Sequence, residues 1–469
     1  MAEAAYDVAI VGAGPAGQAA AERLIAAGMS VCMIDEQQRP GGQILRQPAP
    51  EHRVAGWMSG RLYRHLQAQL RRAEALATLD FIGGTSVLGL WRAGDGFRLS
   101  LGGQRMGSIT ARRVLVAAGC YDMPVPLPGW TLPGVMSAGG LQTLLKGQQI
   151  VPGQAIILFG THPLMLVLAQ QLVEAGATVR AVLFAQPLGD LLWRMPRHVL
   201  AALSHGGPLL AVLHSWWVLR RAGVLLRLGA RVERLVGAKD VLAGADIIER
   251  GASYRIEGDI AAMCFGFLPQ SDLPRAAGAD VRSADPAGGW ETIHDGGMRS
   301  SVPGLYVAGE TSGVTGADAA LLEGALAGVA MAADAGRISP ADAKRLAAPL
   351  RRKRARLRAF VDLLRTVADP RGYLPVPAPD TLICRCEDVS AASLDAAIAD
   401  AVTLGTQVSA SAVKLRCRAG MGLCQGRSCE WGVMQRIAAA TGAPMTSMPG
   451  FRPRYPARPM PIADLIEPA

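Results

Sequence analysis

The sequence predicts an α/β protein with two Rossmann-like dinucleotide-binding domains, one inserted in the other, and a smaller C-terminal domain. Strand–turn–helix–strand patterns at residues 7–36 and 155–184 predict the two Rossmann-like units. Five of the eight cysteines lie within residues 384–429, which marks a third unit. A chain of 469 residues is too long for one hydrophobic core, so several domains are expected.

The composition indicates a globular protein, because half of the residues are apolar and 18% are charged. A net charge of +10 is compatible with nucleic acid, an anionic membrane surface or anionic cofactors. The positive residues are densest at 351–358, which we interpret as a solvated helix face. No zinc-finger or helix-turn-helix signature stands beside it, so we expect no nucleic-acid partner.

The sequence predicts no transmembrane segment. Its N-terminus lacks a basic segment followed by an apolar run, and no stretch reaches the roughly 18 apolar residues of a membrane span. The most apolar stretch, 209–228, is interrupted by His214 and three arginines, which favours a buried hairpin or a partner surface over an interfacial helix. We expect a cytoplasmic protein and leave open a peripheral contact with the inner membrane.

Residues 7–36 contain the elements of a dinucleotide site in their usual order. Gly12 permits a tight turn, Gly14 lets the backbone approach a pyrophosphate, and Gly17 lets the helix pack on the strand. The second strand ends at Asp35, about 20 residues on, where a carboxylate can bind a ribose; Glu36 beside it is the second choice. The candidate residues of the turn are Gly12, Gly14, Pro15, Ala16 and Gly17.

Two later stretches favour FAD over NAD at this site, and a third is consistent with them. The glycine pair in GGQI adds Gly42 and Gln43, where a flavoprotein loop returns to the cofactor. Residues 300–328 resemble the closing FAD motif of two-dinucleotide-domain flavoproteins, with Gly309 and Glu310 in place of that motif's Gly-Asp. Residues 112–130 resemble the crossing to the second domain, with Ala118 and Gly119 at its turn.

The second strand–turn–helix repeat has a broken glycine pattern. Gly160 is present, but His162 occupies the second glycine's position, where a side chain would meet a pyrophosphate. No acid closes the second strand, which offers only Gln186. We predict that this unit keeps the fold and has lost NAD(P) binding; another ligand is the alternative. Because the two Rossmann-like units also lack a CxxC pair, disulfide reduction is not expected.

The clustered cysteines predict a metal site, because clustered cysteines in a chain without a secretion signal argue against disulfides. Cys384 and Cys386 form one pair, and Cys417, Cys424 and Cys429 follow in a second stretch. Four thiolates from two loops can hold zinc or an iron–sulfur cluster. Three further cysteines stand singly in apolar stretches, and we interpret them as small core residues. They are Cys32, Cys120 and Cys264.

The CxC and CxxxxC spacing resembles the bacterioferritin-associated-ferredoxin-like [2Fe-2S] domain. The resemblance implies a small, mainly helical C-terminal domain whose ligands are Cys384, Cys386, Cys424 and Cys429. Cys417 remains as a spare thiol or an alternative ligand. A flavin one domain away favours iron–sulfur over zinc, since it supplies electrons to transfer.

Over its whole length the chain resembles one group of flavoproteins. The motifs are residues 128–146, the broken second site, CRCE, GMGLCQGRSC and the tail FRPRYPARP. The group comprises the A subunit of opine oxidase, the B subunit of hydrogen cyanide synthase, and the α subunits of dye-linked proline and hydroxyproline dehydrogenases.

The resemblance implies an FAD- and [2Fe-2S]-containing electron-transfer subunit. A partner resembling glycine and sarcosine oxidases would oxidise the amino acid or opine, and a quinone or carrier would accept the electrons. We therefore name no acid–base catalyst in this chain. The alternatives are a stand-alone NAD(P)H-dependent reductase and a non-catalytic redox sensor or scaffold.

These motifs predict the domain boundaries. Residues 1–120 and 286–335 would form the FAD-binding domain, and 121–285 the second Rossmann domain, with an insertion at 186–228. Residues 336–375 would form a basic helical linker, and 376–469 the [2Fe-2S] domain and its Pro-rich tail. The insertion contains Trp193, Trp216 and Trp217, which we interpret as core residues or a partner interface.

Overall fold

The structure is a computed structural model of the chain. It describes residues 5–49, 51, 63–194, 206–284, 288–405 and 408–465. The predicted α/β fold class is confirmed, because two mainly parallel sheets with packed helices are followed by a mainly helical C-terminal unit.

The strands, in chain order, are β1 Ala5–Val11, β2 Val31–Ile34, β3 Leu79–Ile82, β4 Thr85–Ala93, β5 Gly96–Gly103, β6 Gly107–Val116, β7 Cys120–Asp122, β8 Val135–Ser137, β9 Ile156–Gly160, β10 Val179–Phe184, β11 Leu225–Leu228, β12 Ala230–Ala238, β13 Val241–Glu249, β14 Ala252–Glu257, β15 Ile260–Cys264, β16 Phe267–Pro269, β17 Val281–Ser283, β18 Trp290–Thr292, β19 Leu305–Val307, β20 Leu382–Cys384 and β21 Val389–Ser390.

The α-helices are α1 Pro15–Ala26, α2 Arg64–Glu74, α3 Ala138–Thr143, α4 Leu164–Glu174, α5 Leu188–Arg194, α6 Gly206–Arg221, α7 Asp272–Ala276, α8 Ala317–Asp334, α9 Pro340–Ala368, α10 Ala391–Thr403, α11 Ala410–Cys417 and α12 Glu430–Thr441. A π-helical turn, Leu144–Gln148, continues α3, and short 3-10 turns lie at Gly309–Thr311, Met445–Ser447 and Ile462–Leu465.

The first sheet has the order β3-β2-β1-β6, and β19 pairs in parallel with the C-terminal half of β6. The N-terminal half of β6 continues into an antiparallel pairing with β5 and then β4. The chain leaves this sheet after β6 and returns to it with β19. The intervening segment contains the second sheet, as expected for one unit inserted in another.

Backbone contact between two helices holds the first unit together. Helix α8 is buried along most of its length and crosses α1. At the crossing a Cβ on Gly324 would collide with the carbonyl oxygen of Ala16. Only glycine allows this approach, and it brings the turn before α1 beside the turn before α8.

The second sheet is wholly parallel, in the order β11-β10-β9-β15-β8. Strands β9 and β15 are buried along their whole length, which is typical of a parallel sheet covered on both faces. The antiparallel meander β12-β13-β14 and helices α3 and α4 pack around this sheet.

Helix α9 connects the first unit to the C-terminal unit. Ser339 caps its N-terminus by accepting a 3.1 Å hydrogen bond from the backbone N–H of Asp342. Most of 351–358 is exposed, in agreement with the predicted solvated face. Beyond the helix, α10, α11 and α12 surround a core that also includes Trp290 of β18.

The domain boundaries stay predictions, and the boundary at 286 lies outside the described residues. So do residues 195–205 of the predicted insertion, residues 1–4, 50 and 52–62 of the first domain, and residues 406–407 and 466–469 of the last. In the described parts of the insertion, β11 pairs with β10 and so belongs to the second sheet. None of the described helices is long and apolar enough to cross a membrane.

Candidate functional site

A cavity of about 630 Å³ lies between the two Rossmann units and helix α9. This volume is in the usual range for cofactor sites. Several separate stretches of the sequence contribute predicted cofactor residues to its wall. They are Gly12, Gly14, Pro15, Ala16, Asp35, Glu36, Gly42, Gln43, Ala118, Gly119, Gly309 and Glu310. Gly17 lies behind the wall, where a Cβ would collide with the carbonyl oxygen of Gly12.

The glycine turn has the shape that a dinucleotide pyrophosphate requires. Gly12 has a φ of 106°, and a Cβ there would collide with the carbonyl oxygen of Ala117. Gly14 caps α1 and faces Gly42, whose added Cβ would lie 2.7 Å from the Gly14 Cα. The turn is therefore a cradle of bare backbone at a helix N-terminus, which suits phosphate groups.

The two acids after β2 differ in their surroundings. Asp35 accepts hydrogen bonds from the backbone N–H groups of Ala13 (2.6 Å) and Gln37 (2.7 Å), and its burial raises its pKa. Glu36 is exposed and forms an ion pair with Arg458 (2.6 Å from Nε to Oε1). Asp35 thus holds the glycine turn in place and still has lone pairs for a ribose.

Glu310 faces the same cavity from the turn before α8. Its Oε2 accepts a hydrogen bond from the Cys120 thiol at 2.8 Å, and burial raises the pKa values of both groups. Gly119 donates its N–H to Thr311 Oγ1 at 3.0 Å, which joins the two predicted turns. Cys120, interpreted from the sequence as a core residue, is therefore a wall residue that sequence reasoning missed, although it directly follows Gly119.

The second unit contributes Asp122, Lys146 and His162 to the wall. Asp122 accepts hydrogen bonds from Ser137 Oγ (2.9 Å) and the Gly139 N–H (3.0 Å). Burial lowers the pKa of His162 to about 4, so this imidazole is neutral near pH 7. Sequence reasoning missed Asp122 and Lys146; the only signal for Lys146 is a charge in the apolar stretch LQTLLK.

The second dinucleotide turn keeps the backbone of a nucleotide site. A Cβ on Gly160 would collide with the carbonyl oxygen of Cys264, so the tight turn after β9 needs this glycine. His162 follows it, and its Nδ1 accepts a 3.1 Å hydrogen bond from the Leu164 N–H at the start of α4. One of the free N–H groups that this helix terminus would offer to a phosphate is thus already hydrogen-bonded to the His162 side chain.

The C-terminal end of α9 lies against this second turn. Thr161 Oγ1 donates to the carbonyl oxygen of Ala368 at 2.9 Å. Gln186 is fully buried, and its Nε2 donates to the carbonyl oxygens of Thr161 (2.9 Å) and Val367 (2.8 Å). His162 stands where a nucleotide site needs a glycine, and Gln186 stands where it needs an acid. Both side chains are hydrogen-bonded to the chain's own backbone.

The four predicted ligand thiols lie close together in the C-terminal unit. Cys384 lies beside Cys429, whose side chain lowers the pKa of Cys384 to about 6, and Cys386 lies beside Cys424. The nearby backbone N–H groups of Gly420 and Glu387 also lower the pKa of Cys384. No group of three or more His, Cys, Asp or Glu among the described residues is arranged to hold a metal ion, so the thiols stand as two neighbouring pairs.

Glycines bring the two thiol loops together. A Cβ on Gly422 would collide with the Cβ of Cys386, so the second loop can approach the first only without a side chain there. Gly420 and Gly426 have positive φ and lie under the ring of Phe451. This set of soft thiol donors with nearby backbone N–H groups fits an iron–sulfur cluster. The Cys417 thiol donates to the carbonyl oxygen of Val413 at 3.3 Å, and burial, with a smaller contribution from the nearby Cys384 thiol, raises its pKa.

The second thiol loop also reaches the cavity. Arg427, between Cys424 and Cys429, lies in the cavity wall and donates through Nε to Asp272 Oδ2 at 3.0 Å. Its guanidinium also donates to the carbonyl oxygen of Ala457. The predicted cofactor site and the thiol group are thus separated by a single loop.

Comparisons with known proteins show what the chain is similar to. Residues 6–333 match the family model described as pyridine nucleotide-disulphide oxidoreductase. The chain is 36% identical to the A subunit of opine oxidase from Rhizobium meliloti (strain 1021), over 99% of both chains. It is 31% identical to hydrogen cyanide synthase subunit HcnB of Pseudomonas protegens, over 97% of this chain and 96% of that one.

Among solved structures, L-proline dehydrogenase from P. horikoshii has a similar fold. The TM-score is 0.69 at 19% sequence identity, over 99% of this chain and 80% of that one. This similarity supports the fold as described, across both Rossmann units and the C-terminal unit.

The contacts of Asp35 generate a first prediction. Replacing Asp35 by Asn removes the charge that accepts two backbone N–H bonds in the cavity wall, where we predict that it binds the FAD ribose. Because a hydrogen bond to a charged group contributes about 1.5–3 kcal/mol, we expect FAD affinity to fall roughly 10- to 100-fold. FAD titration of the apoprotein, followed by flavin fluorescence, measures this. The matched Glu36→Gln variant should lose less, and a larger loss there would make Glu36 the ribose ligand.

Proposed function

Because the chain belongs to the pyridine nucleotide-disulphide oxidoreductase family and to the group that contains HcnB and the A subunit of opine oxidase, we propose a specific role for this FAD-dependent oxidoreductase. It is the FAD- and [2Fe-2S]-containing electron-transfer subunit of a heteromeric dehydrogenase that acts on amino acids or opines. Electrons come from a glycine/sarcosine-oxidase-like flavoprotein subunit, and they leave to a quinone or another carrier.

The observation that best supports this proposal is the contrast between the two dinucleotide turns. The first turn opens into a large cavity through bare glycine backbone. The second turn is bonded to the end of α9 through Thr161 and Gln186, and His162 stands beside it. We infer that an enzyme built in this way binds FAD at the first turn and that its electrons come from a donor other than NAD(P)H.

A partner subunit is the donor that we favour. The relatives with nearly full-length similarity are named as subunits, of opine oxidase and of hydrogen cyanide synthase. We propose that the amino acid or opine is oxidised on the partner. This explains why no acid–base pair is needed in the present chain.

The residues of this chain would hold the cofactor and control its surroundings. The bare backbone at Gly12 and Gly14 would bind the pyrophosphate, and Asp35 the ribose. Glu310, which accepts a hydrogen bond from the Cys120 thiol, would bind the chain of hydroxyl groups next to the flavin ring. The flavin supplies the ability to accept two electrons and release them singly.

We propose Cys384, Cys386, Cys424 and Cys429 as the ligands of the [2Fe-2S] cluster. Their arrangement in neighbouring pairs supports this choice, whereas the Cys417 thiol is bonded to the carbonyl oxygen of Val413. A cluster bound there would supply one-electron transfer. Arg427, from the second thiol loop, lies in the cavity wall, which supports a position of the cluster close to the flavin site.

Helix α6 offers the surface that we propose for the partner flavoprotein subunit. Leu213, Trp216 and Trp217 are 62%, 43% and 50% exposed, and they lie on one face at helical spacing. Arg220 and Arg221 stack on the two tryptophans, at 5.2 and 4.7 Å from the ring centroids. Exposed tryptophan beside arginine is the composition of interface hot spots. Such a cluster of exposed apolar side chains is unusual on a surface that contacts only water.

Reduction by nicotinamide nucleotides tests the main proposal. We expect that neither NADH nor NADPH bleaches the visible flavin absorbance of the anaerobic protein on a catalytic timescale. Dithionite should bleach it, and so should the amine substrate when the partner subunit is present. Rapid bleaching by NADH would show a stand-alone reductase. Bleaching by dithionite alone, even with the partner, would favour the sensor or scaffold.

Single Cys→Ser variants test the ligand set. Cys384→Ser or Cys424→Ser should lose iron and inorganic sulfide, because each removes a thiolate ligand. Cys417→Ser is the matched control and should keep both. Iron, sulfide and zinc are measured per flavin after anaerobic purification. Zinc without sulfide in the wild-type protein, or iron loss in Cys417→Ser, would refute the proposed site.

The partner surface is tested by removing its aromatic side chains. The variants Trp216→Ala and Trp217→Ala should weaken the complex by roughly 2 kcal/mol each, the usual threshold for a hot spot. Size-exclusion chromatography of the co-expressed subunits measures this. Trp91→Ala, a similarly exposed tryptophan on β4, should leave the complex intact. An intact complex in the α6 variants would exclude this surface.

A further inference from the structure

Lys146 is a buried lysine in the wall of the cofactor cavity. Its residue is only 5% exposed and lies in the π-helical turn Leu144–Gln148 that continues α3. Such turns interrupt regular helices and are frequent at functional sites. The turn belongs to the second unit, but the side chain extends to the first, so Lys146 lies where the two units meet.

The contacts of Lys146 identified among the described residues use only part of the hydrogen-bonding capacity of its ammonium group. Nζ donates to the carbonyl oxygen of Ile44 at 3.2 Å and lies 6.0 Å from the ring centroid of Tyr63. No ion pair identified among the described residues involves Lys146. The charged side chain that acts on it is Arg46, another cation, which packs against the same turn beside Gly147. Burial, with a smaller contribution from Arg46, lowers the pKa of Lys146 to about 7.

An unpaired buried ammonium is costly, since removing such an ion from water costs several kcal/mol. Proteins usually compensate the cost with a carboxylate, and the described residues place none beside Lys146. Lys146 lies in the cavity wall, so a ligand bound in the cavity is the group that can supply the compensating negative charge.

The position of Lys146 indicates which part of the ligand it faces. The acids Asp35 and Glu36 of the first unit and the ammonium of Lys146 all lie within electrostatic range of Arg46. Lys146 approaches from the second unit, beside Ile44, two residues beyond Gly42. The proposed function assigns the pyrophosphate and the ribose to Gly12, Gly14 and Asp35 of the first unit, so the ring end of FAD would extend toward the second unit, from which Lys146 approaches.

We propose that the Lys146 ammonium stabilises the negative charge that the flavin of this chain gains on reduction, and thereby raises its midpoint potential. The flavin takes up two electrons and one proton from its donor, which is oxidised by two electrons and loses that proton. The flavin therefore gains one negative charge, opposite an otherwise unpaired cation. A higher potential favours electron flow into this chain. The inference rests on FAD binding and requires neither the partner nor the iron–sulfur cluster of the proposed function.

The test measures the flavin midpoint potential of the purified holoprotein in an anaerobic dye-coupled reductive titration. Lys146→Met keeps the length of the side chain and removes its charge. We expect the equilibrium constant for flavin reduction to fall at least tenfold, which is about 30 mV for a two-electron couple. Lys146→Arg restores the charge and should recover most of the shift. Lys353→Met, an exposed lysine on α9, is the matched control and should not shift the potential.

Each outcome decides the proposal. A lower potential in Lys146→Met with recovery in Lys146→Arg supports it, since loss of packing alone would not follow the charge. An unchanged potential overturns it. Loss of FAD from Lys146→Met but not from Lys146→Arg also overturns it, because Lys146 would then serve binding. If Lys146→Met does not fold, Lys146→Gln, also neutral, takes its place in the same titration. Reduction by NADH would refute the partner-fed function and leave this result unaffected.

Discussion

The structure depends on backbone surfaces that meet without side chains between them. Gly12 meets the carbonyl of Ala117, and Gly17 meets the carbonyl of Gly12. Gly324 meets the carbonyl of Ala16. A methyl group at any of these glycines would separate β1, α1 and α8, which form the floor of the cavity. Glycine costs conformational entropy in a helix or turn, and here that cost is offset by the close packing it permits.

Helix α9 links the two dinucleotide turns with opposite effects. Arg354 pairs with Glu323 at 2.9 Å, and the other Glu323 oxygen accepts the Gly309 N–H at 3.0 Å. The helix thereby supports the turn that presents Glu310 to the cavity. The end of the same helix is bonded to Thr161 and Gln186 at the second turn. One element thus supports the turn at Glu310 and is hydrogen-bonded to the second dinucleotide turn.

The C-terminal unit is built into the body of the protein rather than appended to it. Trp290, from a strand between the Rossmann units, belongs to the core of the C-terminal unit, and Trp431 of α12 belongs to the core of the second unit. The ring of Phe451, from the Pro-rich tail, covers Gly420 and Gly426 of the second thiol loop. Apolar burial across these boundaries holds the thiol loops at a fixed place beside the cavity.

The sequence by itself determined the features that depend on neighbouring residues. These are the two Rossmann patterns, the glycine turn at Gly12, the two cysteine pairs and the broken turn at His162. Each of these patterns spans few residues, because local backbone geometry requires particular residue types at neighbouring positions. The full-length motifs also identified the family, which the comparisons confirm. Cofactor and ligand residues such as Asp35 and Cys384 were predicted too, and their roles stay predictions.

Only the tertiary structure decided how distant residues meet. The bond between Cys120 and Glu310 spans 190 positions, and the bond between Thr161 and Ala368 spans 207. The burial of Lys146 against Ile44 and the entry of Arg427 into the cavity wall are of the same kind. No local pattern specifies such contacts, because they form only when whole units pack together and the loss of chain entropy is offset by burial.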